Sequence, residues 1–401
     1  MLTVDDAQAR IFEKISLAPT ETITLDKAFG RSLSQALKST RNQPPANMSA
    51  MDGYAIRFSD VGDLPTILNV IGEAPAGSAF EGSLQPGQAV RIFTGGEIPD
   101  GSDTVVIEEN TRMRDDQPDK VFIIEETPKG KNIRQKGLDF EEGDIIQPAG
   151  QVIRARNIAL LAAANINPIP VYRKPKVALI STGNELIKAG EAVEGNQIIN
   201  SNTPMLSTSL VQAGADPVDY GIIPDDLEKI SNILSTAAKE CDFIITVGGA
   251  SVGKYDYVLK ALESLDYEPG FWKVAMRPGK PLMFGMLEGK PVFGLPGNPV
   301  SAFVSSYLFV LPAIKYSMGH PQPIPDKQNA MLSEPLEDNG ARQSYLRATT
   351  WVDSAGIRRV QPLKQQDSSA LTSLVAANCL IVRPPHESRK QADQLVRILP
   401  L

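Results

Sequence analysis

Two loops, separated by a short basic segment, hold the most chemically suggestive residues of the chain. The first loop follows the apolar run 243–247, which is typical of a strand buried on both faces of a parallel sheet. Backbone N–H groups in such a glycine-rich loop can bind an anion. The second loop follows the apolar run 292–295, and its Asn298 and Pro299 predict a helix that begins there with its positive end exposed. The candidate binding residues of the two loops are Gly248, Gly249, Ser251, Gly253, Pro296, Gly297, Asn298, Pro299 and Ser301.

Charged residues near these loops suit a phosphorylated ligand and a divalent metal. The cations Lys273, Arg277 and Lys280 lie between the loops and could neutralise an anion. Three acids, Glu185, Asp225 and Asp256, each follow a predicted strand or its loop. Any one of them is equally well explained as a helix or turn cap, and either glycine loop alone as a tight turn. Three carboxylates beside two anion-binding loops fit Mg²⁺ better than three unrelated caps do.

The elements that position these residues alternate between strand and helix. The pattern predicts strands at 176–181, 220–223 and 243–247 and helices at 203–213 and 227–239. Alternation of this kind predicts a doubly wound parallel sheet, in which ligands bind beyond the carboxyl ends of the strands. The four loops of interest are 182–185, 224–226, 248–256 and 296–301, and we expect them to converge at one edge of that sheet.

The flanking regions predict further domains. An amphipathic helix is expected over 3–15, with Thr3 and Asp6 in capping-box-like spacing, and another over 154–165; 168–175 is expected to be a linker. Short strands with turn signals predict an inserted β-rich domain and a small C-terminal β-barrel-like domain. The predicted fold is therefore multidomain α/β plus β. Four domains are predicted. Residues 1–40 and 144–172 form an elongated linking domain, whose N-terminal helix could instead pack on the α/β domain. The inserted domain covers 41–143, the α/β domain 173–325 and the C-terminal domain 326–401.

Composition excludes several classes of protein. The 401 residues, 42% hydrophobic and 22% charged, predict several globular domains. Two cysteines and two histidines argue against a disulfide framework, an iron–sulfur cluster or a His/Cys zinc site. A net charge of −7 argues against non-specific nucleic-acid binding. The N-terminus lacks signal-peptide features and no apolar run reaches membrane-spanning length, so we expect a cytoplasmic protein without membrane partners.

Three long segments resemble one known family. GGASVGKYDY, WKVAMRPGKP and GLPGNPVSA, in this order and spacing, resemble the core of the molybdopterin molybdenumtransferase family, the MoeA type related to the gephyrin E-domain. SAMDGYAI, RIFTGG and NIRQKGLD match segments that line the family's active-site cleft, which implies site roles for Asp52, Thr94, Arg134 and Asp139. Residues 366–369 resemble a segment with a functional serine, and Ser368 aligns with it although the usual Gly-Ser-His is absent. Leu138 stands where the family more often has Glu, and Arg277 where it usually has Lys.

The resemblance implies an activity and an assembly. The implied reaction places molybdenum from molybdate on adenylylated molybdopterin and releases AMP with the help of Mg²⁺, which Glu185, Asp225 and Asp256 would hold, as the corresponding family acids do. It also implies a homodimer in which the inserted domain faces the partner's cleft, with the pathway adenylyltransferase and cofactor-accepting molybdoenzymes or their chaperones as partners. Two alternatives remain: an adenylyltransferase of the same pathway, which shares the α/β core but needs neither flanking β domain, and a gephyrin-like scaffold that binds without turnover.

Overall fold

A six-stranded central sheet organises the molecule. The computed structural model describes residues 1–248 and 257–401. The strands, in spatial order, are Asp216–Ile223, Lys176–Thr182, Phe243–Val247, Lys290–Leu295, Met283–Leu287 and Glu268–Trp272. The first four are parallel, as predicted, and the last two add an antiparallel edge that was not predicted. That edge forms because Glu288 and Gly289, with φ of 49° and 73°, make a two-residue hairpin turn.

Helices cover both faces of the central sheet. Along the strand Lys176–Thr182, Val177 and Leu179 point into one hydrophobic core and Ala178 and Ile180 into another, because successive strand side chains alternate. The first core is covered by helices Val4–Lys14, Asn202–Gln212 and Pro299–Ser317, and the second by Leu227–Glu240 and Tyr257–Glu263. The predicted doubly wound arrangement is therefore confirmed.

The segment Pro299–Ser317 is continuous but not uniformly α-helical. It consists of α-helices Pro299–Ser305 and Leu311–Ser317 with a π-helical turn, Ser306–Val310, between them. Pro312 has no N–H and its ring would clash with the carbonyl four residues earlier, which accounts for the widened turn at this place. By length and composition this segment could cross a membrane, but 72% of its most apolar window is buried inside the protein, as in a core helix.

The structure confirms the two predicted helices of the N-terminal part of the chain but contradicts the predicted linker 168–175. Helix Val4–Lys14 begins as predicted, with the Thr3 hydroxyl accepting the Asp6 N–H at 3.1 Å. Helix Ala155–Ala163 also lies where expected. The predicted linker, however, contains the strand Ile169–Tyr172, which pairs antiparallel with Thr20–Ile23. Alternate residues of this strand are buried in a small core. Its partner strand lies almost 150 positions away, so the pairing cannot be predicted from a local sequence pattern.

Two further β structures flank the central sheet. The inserted sheet consists of the strands Thr104–Ile107, Gly53–Ile56, Gln88–Ile92, Thr66–Ala74, Gln117–Ile123 and Thr111–Arg114, in that order. The C-terminal barrel consists of Gln343–Val352, Arg358–Pro362, Gln328–Leu332, Leu395–Pro400 and Cys379–Arg383, and it closes because the last strand pairs with the first. The predicted multidomain α/β plus β fold, with a small C-terminal barrel, is confirmed.

The remaining elements are short. Two-stranded pairs are Leu37–Lys38 with Ile145–Gln147, Met48–Ser49 with Ile133–Arg134, and Leu186–Ile187 with Ile198–Ile199. Short helices are Leu25–Lys27, Phe58–Asp60, Glu108–Asn110 and Leu371–Ala376. We call the central sheet and the helices that cover it the central region. The strand Met276–Arg277 leaves this region and joins the barrel, where it pairs in parallel with Gln343–Val352 and places Arg277 opposite Ser344. The basic segment is thereby fixed to both the central region and the barrel.

Candidate functional site

A cleft of about 540 Å³, here called the barrel cleft, lies between the central region and the barrel. Arg277, Lys280 and Arg342 all line it. Within residues 1–248 and 257–401, none of these three cations has a carboxylate within 4.0 Å. The other lining residues that carry polar side chains are Ser301, Glu337, Asp338, Asn339, Ser344, Tyr345, Gln366, Asp367, Ser368 and Arg383.

The acidic side chains of the barrel cleft are already engaged. Glu337 lies 3.7 Å from the Arg389 guanidinium, and Asp338 accepts the Arg389 N–H at 2.6 Å. Asp367 accepts both the N–H and the hydroxyl of Ser369, which hold the pKa of its carboxyl below the usual value. Unpaired cations beside engaged acids make this cleft suited to an anion.

Gly279 shapes the basic segment between Arg277 and Lys280. Its φ is +95°, and a Cβ there would lie 2.5 Å from Ser305 Oγ. Only glycine meets both demands without strain. The third predicted cation, Lys273, is half-buried with φ +80°, donates its N–H to Leu282 O at 3.0 Å, and is not among the residues that line either cleft described here.

A second cleft, of about 430 Å³, lies off the carboxyl ends of the parallel strands, where the fold predicts a ligand; we call it the sheet cleft. Gly248 lies at its base with φ +93°, and a Cβ there would meet the Thr182 carbonyl oxygen at 2.7 Å. Its lining residues are Ser181, Thr182, Glu185, Leu186, Ile198, Ile199, Asn200, Ser201, Asn202, Val247, Gly248, Gly297, Asn298, Pro299, Ser369 and Leu371. Of the predicted loop residues, Gly249, Ser251 and Gly253 lie outside the described residues, and Pro296 is buried and lines neither cleft.

A contact between Asn298 and Ser368 separates the two clefts. Asn298 Nδ2 donates to Ser368 Oγ at 2.9 Å, and Val300 N–H donates to the Ser368 carbonyl at 3.1 Å. Asn298 occupies the N-cap position and Pro299 the first helical position, as predicted. The Asn298 side chain makes no capping hydrogen bond, because the Ser368 carbonyl accepts a first-turn N–H and the Asn298 amide donates to Ser368 Oγ. Ser368 therefore lies at the junction of the barrel and the long helix.

Arg347 holds the loop that carries Ser368. Arg347 is 1% exposed, and its guanidinium donates to the carbonyls of Asp367 (2.9 Å) and Gln365 (3.0 Å). The Gln366 side-chain amide accepts the Arg347 N–H and donates to the Arg347 carbonyl. Burial lowers the pKa of the guanidinium, and only the Asp367 charge opposes that shift. Arg347 was not predicted as a site residue. An Arg two positions from the buried Tyr345 in an alternating strand is the signal that could have found it.

Two of the three predicted metal ligands follow strands that end at the same edge of the sheet. Glu185 and Asp225 follow neighbouring parallel strands paired at Thr182 and Ile223, and Asp225 N–H donates to Asn184 Oδ1 at 3.2 Å. In the part of the chain that the structure describes, neither carboxylate has a hydrogen-bond or ion-pair partner, and no group of three His, Cys, Asp or Glu side chains is placed to hold a metal. The third predicted ligand, Asp256, lies outside the described residues. Free oxygen ligands at one rim fit a hard cation such as Mg²⁺.

The chain matches known proteins over nearly its whole length. Family descriptions match residues 2–165 (MoeA N-terminal region, domains I and II), 178–316 (probable molybdopterin binding domain) and 329–401 (MoeA C-terminal region, domain IV). The molybdopterin molybdenumtransferase of Haemophilus influenzae is 34% identical, covering 100% of this chain and 98% of the relative; that of Nostoc is 35% identical, covering 100% and 94%. The chain belongs to the MoeA family. A crystal structure of the Pyrococcus horikoshii MoeA protein, 29% identical, superposes with a TM-score of 0.85 over 100% of both chains. The resemblance noted in the sequence is confirmed.

The family-derived residues of the inserted domain form a separate group. Asp52 Oδ1 accepts the Thr94 N–H at 2.6 Å and the Thr94 hydroxyl at 2.8 Å, and these donors hold the pKa of Asp52 below its usual value. Arg134 is exposed on a two-residue strand opposite Met48, and Asp139 is exposed after it. None of these four residues lines the barrel cleft or the sheet cleft, as far as the described residues define them.

Both departures from the usual family pattern are placed by the structure. Leu138, which stands where the family more often has Glu, is 66% exposed. Its side chain therefore faces outwards from the inserted domain. Arg277 lines the barrel cleft and is held opposite Ser344 by strand pairing. A guanidinium at this place offers a forked donor where a lysine would offer a single charged nitrogen.

Proposed function

We propose that this protein is a molybdopterin molybdenumtransferase that inserts molybdate into adenylylated molybdopterin, with Mg²⁺-dependent release of AMP. The observation that carries the proposal is the pair of clefts that lie on either side of the Asn298–Ser368 contact. One cleft offers unpaired cations for an oxyanion, and the other offers Gly248 and a helix N-terminus for phosphate. Full-length relatives that are 34–35% identical carry this enzyme name.

The residues divide the chemistry between the clefts. Arg277 and Lys280 attract the molybdate oxyanion, and the hydroxyls of Ser301 and Ser368 offer hydrogen bonds to it. Gly248, beside the sheet cleft, belongs to the glycine loop that binds substrate phosphate, and the helix that starts at Pro299 contributes its positive end.

Mg²⁺ is the proposed cofactor. Glu185 and Asp225 would hold the metal together with Asp256, and the bound ion would supply polarisation of the phosphoryl group. The carboxylates of Glu185 and Asp225, which follow neighbouring strands and have no partner among the described residues, support this assignment. No covalent nucleophile is needed, since the chain's own groups bind and orient the two anions.

The direct test is AMP release from adenylylated molybdopterin, measured with and without molybdate and Mg²⁺. Lys280→Ala should raise the molybdate KM, and rising salt should weaken wild-type binding in the same direction because the attraction is ionic. Lys273→Ala tests the remaining predicted cation in the same assay. Lys239→Ala removes an exposed lysine from the helix Leu227–Glu240, away from both clefts, and serves as the matched control. Absence of molybdate-dependent AMP release from the wild-type protein would reject the proposal.

The proposed working form is a cytoplasmic homodimer with active sites shared between chains. Its support is that Asp52, Thr94, Arg134 and Asp139 line neither cleft of their own chain among the described residues. Asp52→Asn and Asp256→Asn proteins, each inactive alone, are unfolded together in equal amounts and refolded. They should regain about a quarter of wild-type activity, because half the dimers are mixed and each holds one intact site. No recovery in dimers whose mixing is confirmed by mass would contradict sharing through these residues.

The pathway partners follow from the same reaction. An adenylyltransferase would supply the adenylylated substrate, and molybdoenzymes or their chaperones would accept the product. The protein itself is unlike an adenylyltransferase built from the central region alone, because barrel residues Ser368 and Ser369 complete the two clefts. A gephyrin-like scaffold would capture such partners without releasing AMP in the assay above.

A further inference from the structure

The loop 337–342 lines the barrel cleft and carries Arg342, one of its unpaired cations. The loop has no regular secondary structure and ends where the strand Gln343–Val352 begins. It contains Gly340, and a Cβ added there would meet nothing within 4 Å, so packing does not hold this part of the loop. Among the described residues no carboxylate lies within 4.0 Å of the Arg342 guanidinium. The position of Arg342 therefore depends on how the loop backbone is held.

The Asn339 side chain holds this loop through four hydrogen bonds. Its Nδ2 donates to the carbonyl oxygens of Arg342 (3.0 Å), Arg383 (3.1 Å) and Pro384 (2.7 Å). Its Oδ1 accepts the Ser344 hydroxyl at 2.8 Å. Because an amide nitrogen has only two protons, at least one proton is shared between two carbonyls. One side chain thereby connects the loop to two paired strands of the barrel.

The partners of Asn339 also determine the direction of the Ser344 hydrogen bond. Carbonyl oxygens can only accept, so the Asn339 nitrogen faces them and the Asn339 oxygen faces Ser344. The Ser344 hydroxyl must therefore donate its single proton to Asn339. Strand pairing places Ser344 opposite Arg277 on one side and Arg383 on the other. Ser344 thus has no proton left for an anion in the barrel cleft, and recognition of negative charge depends on the cations.

Backbone hydrogen bonds hold the first half of the loop only. The Asn339 N–H donates to the Glu387 carbonyl at 2.8 Å, and the His386 N–H donates to the Gly340 carbonyl at 2.9 Å. Beyond Gly340, the bond from the Asn339 side chain to the Arg342 carbonyl holds the loop. Loss of this amide would therefore free the part of the loop that carries the cation.

We propose that Asn339 is a positioning residue, which holds the loop 337–342 in the conformation that keeps Arg342 in the barrel cleft with Arg277 and Lys280. The inference rests on the proposed function, in which this cleft receives molybdate. Asn339 acts without touching the anion, because its four side-chain hydrogen bonds are all made to protein groups. A loop that is ordered before the anion arrives spares binding the entropy cost of ordering it, so Asn339 should affect affinity.

The test is a double-mutant cycle between Asn339 and Arg342. Wild type, Asn339→Ala, Arg342→Ala and the double variant are titrated as full chains with sodium molybdate at low salt, by calorimetry. We expect each single substitution to weaken molybdate binding about tenfold, and the double variant to bind little more weakly than Arg342→Ala alone. In the AMP-release assay Asn339→Ala should raise the molybdate KM by a similar factor and change kcat at saturating molybdate by less than about twofold.

Three results of the cycle would overturn the inference. Additive losses of affinity would mean that Asn339 does not act through Arg342. Unchanged molybdate binding in Asn339→Ala, with a lower Tm, would leave the amide a structural role only. Unchanged molybdate binding in Arg342→Ala would mean that the loop carries no group that recognises the anion.

Asn378→Ala is the matched control for the loss of a structural amide from the barrel. Asn378 Nδ2 donates to the Thr350 carbonyl at 2.9 Å and its Oδ1 accepts the Thr350 N–H at 2.7 Å. It lines neither cleft, as far as the described residues define them. Asn378→Ala should lower the Tm, as Asn339→Ala should, and leave molybdate affinity unchanged. An equal loss of affinity in both variants would attribute the effect to barrel stability and contradict a positioning role.

Asn339→Ser provides a milder substitution that retains one donor. It should weaken molybdate binding by less than Asn339→Ala does, and this effect should also disappear in the Arg342→Ala background. If Asn339→Ala does not fold, Asn339→Ser takes its place in the cycle, and the same additive result would overturn the inference.

The proposed function and this inference can fail separately. Molybdate-dependent AMP release with additive effects in the cycle would overturn the positioning role alone. Molybdate binding with a non-additive cycle, in a protein that releases no AMP, would support the positioning role and reject the transferase. Absence of both molybdate binding and AMP release in the wild type would overturn both.

Discussion

Gly279→Ala should distort the basic segment of the barrel cleft and destabilise the central region. Gly279 has φ +95°, and an added Cβ would lie 2.5 Å from Ser305 Oγ and 3.0 Å from Met276 Cε. The methionine methyl is the end of a flexible side chain and can move, whereas Ser305 lies on a buried helix. The substitution therefore has a conformational cost and a steric cost.

The two costs can be estimated separately. A left-handed conformation costs an L-residue about 1–2 kcal/mol. Overpacking at a buried site costs about 1–3 kcal/mol. The expected loss of unfolding free energy for Gly279→Ala is therefore about 2–5 kcal/mol. Gly289→Ala is the matched control, since Gly289 has φ +73° and nothing within 4 Å of its added Cβ; it should show only the conformational cost.

Ser305→Ala identifies the source of the steric cost. Ser305 Oγ is buried without a hydrogen-bond partner in the described chain, so its removal alone should change stability little. In the double variant Gly279→Ala/Ser305→Ala the steric cost should largely disappear and leave about 1–2 kcal/mol. The functional counterpart is molybdate affinity, which should fall in Gly279→Ala and partly recover in the double variant.

The assay is urea unfolding followed by tryptophan fluorescence. The chain has two tryptophans, Trp272 in the central sheet and Trp351 in the barrel, so a Trp351→Phe background reports on the central sheet alone. A double variant as unstable as Gly279→Ala would refute the contact with Ser305. A loss in Gly289→Ala equal to that in Gly279→Ala would show that backbone conformation explains the whole effect.

Three further predictions concern side-chain roles. The two Thr94 donors lower the pKa of Asp52. The stability that these hydrogen bonds contribute is therefore fully present above the ordinary Asp pKa of 3.8 and is lost as the pH falls through the lowered pKa. The Tm difference between wild type and Thr94→Val should accordingly shrink in melts below about pH 4. Arg347→Met leaves two loop carbonyls without donors, so the unfolding free energy measured in urea should fall by about 2–4 kcal/mol and the molybdate KM should rise. Arg347→Lys should recover part of both losses. A normal molybdate KM in Arg347→Met would contradict a positioning role. Glu185→Gln and Asp225→Asn should each raise the Mg²⁺ concentration for half-maximal AMP release at least about tenfold with unchanged Tm, whereas a lower Tm with unchanged Mg²⁺ dependence would indicate a structural role.

The sequence determined the parallel strands of the central sheet and the helices that cover it. Strands such as Phe243–Val247 and helices such as Leu227–Glu240 are specified by apolar periodicity within one segment, so a local pattern was sufficient. The start of the long helix at Asn298 and Pro299 was also predictable, because N-terminal preferences act over three or four residues. The family motifs placed Asp52 and Thr94 together, and the structure shows them hydrogen-bonded.

Only the tertiary structure decided which distant segments complete the clefts. Ser368 contacts Asn298 across 70 positions, and Asn202 contacts Gly297 across 95. The strand Ile169–Tyr172 looked like a linker because its partner lies near residue 20. Such contacts depend on chain topology and on the satisfaction of buried polar groups, neither of which leaves a periodic signal in a short window. For the same reason Arg347 and Asn339, whose side chains hold loops through backbone carbonyls, emerged only from the folded chain.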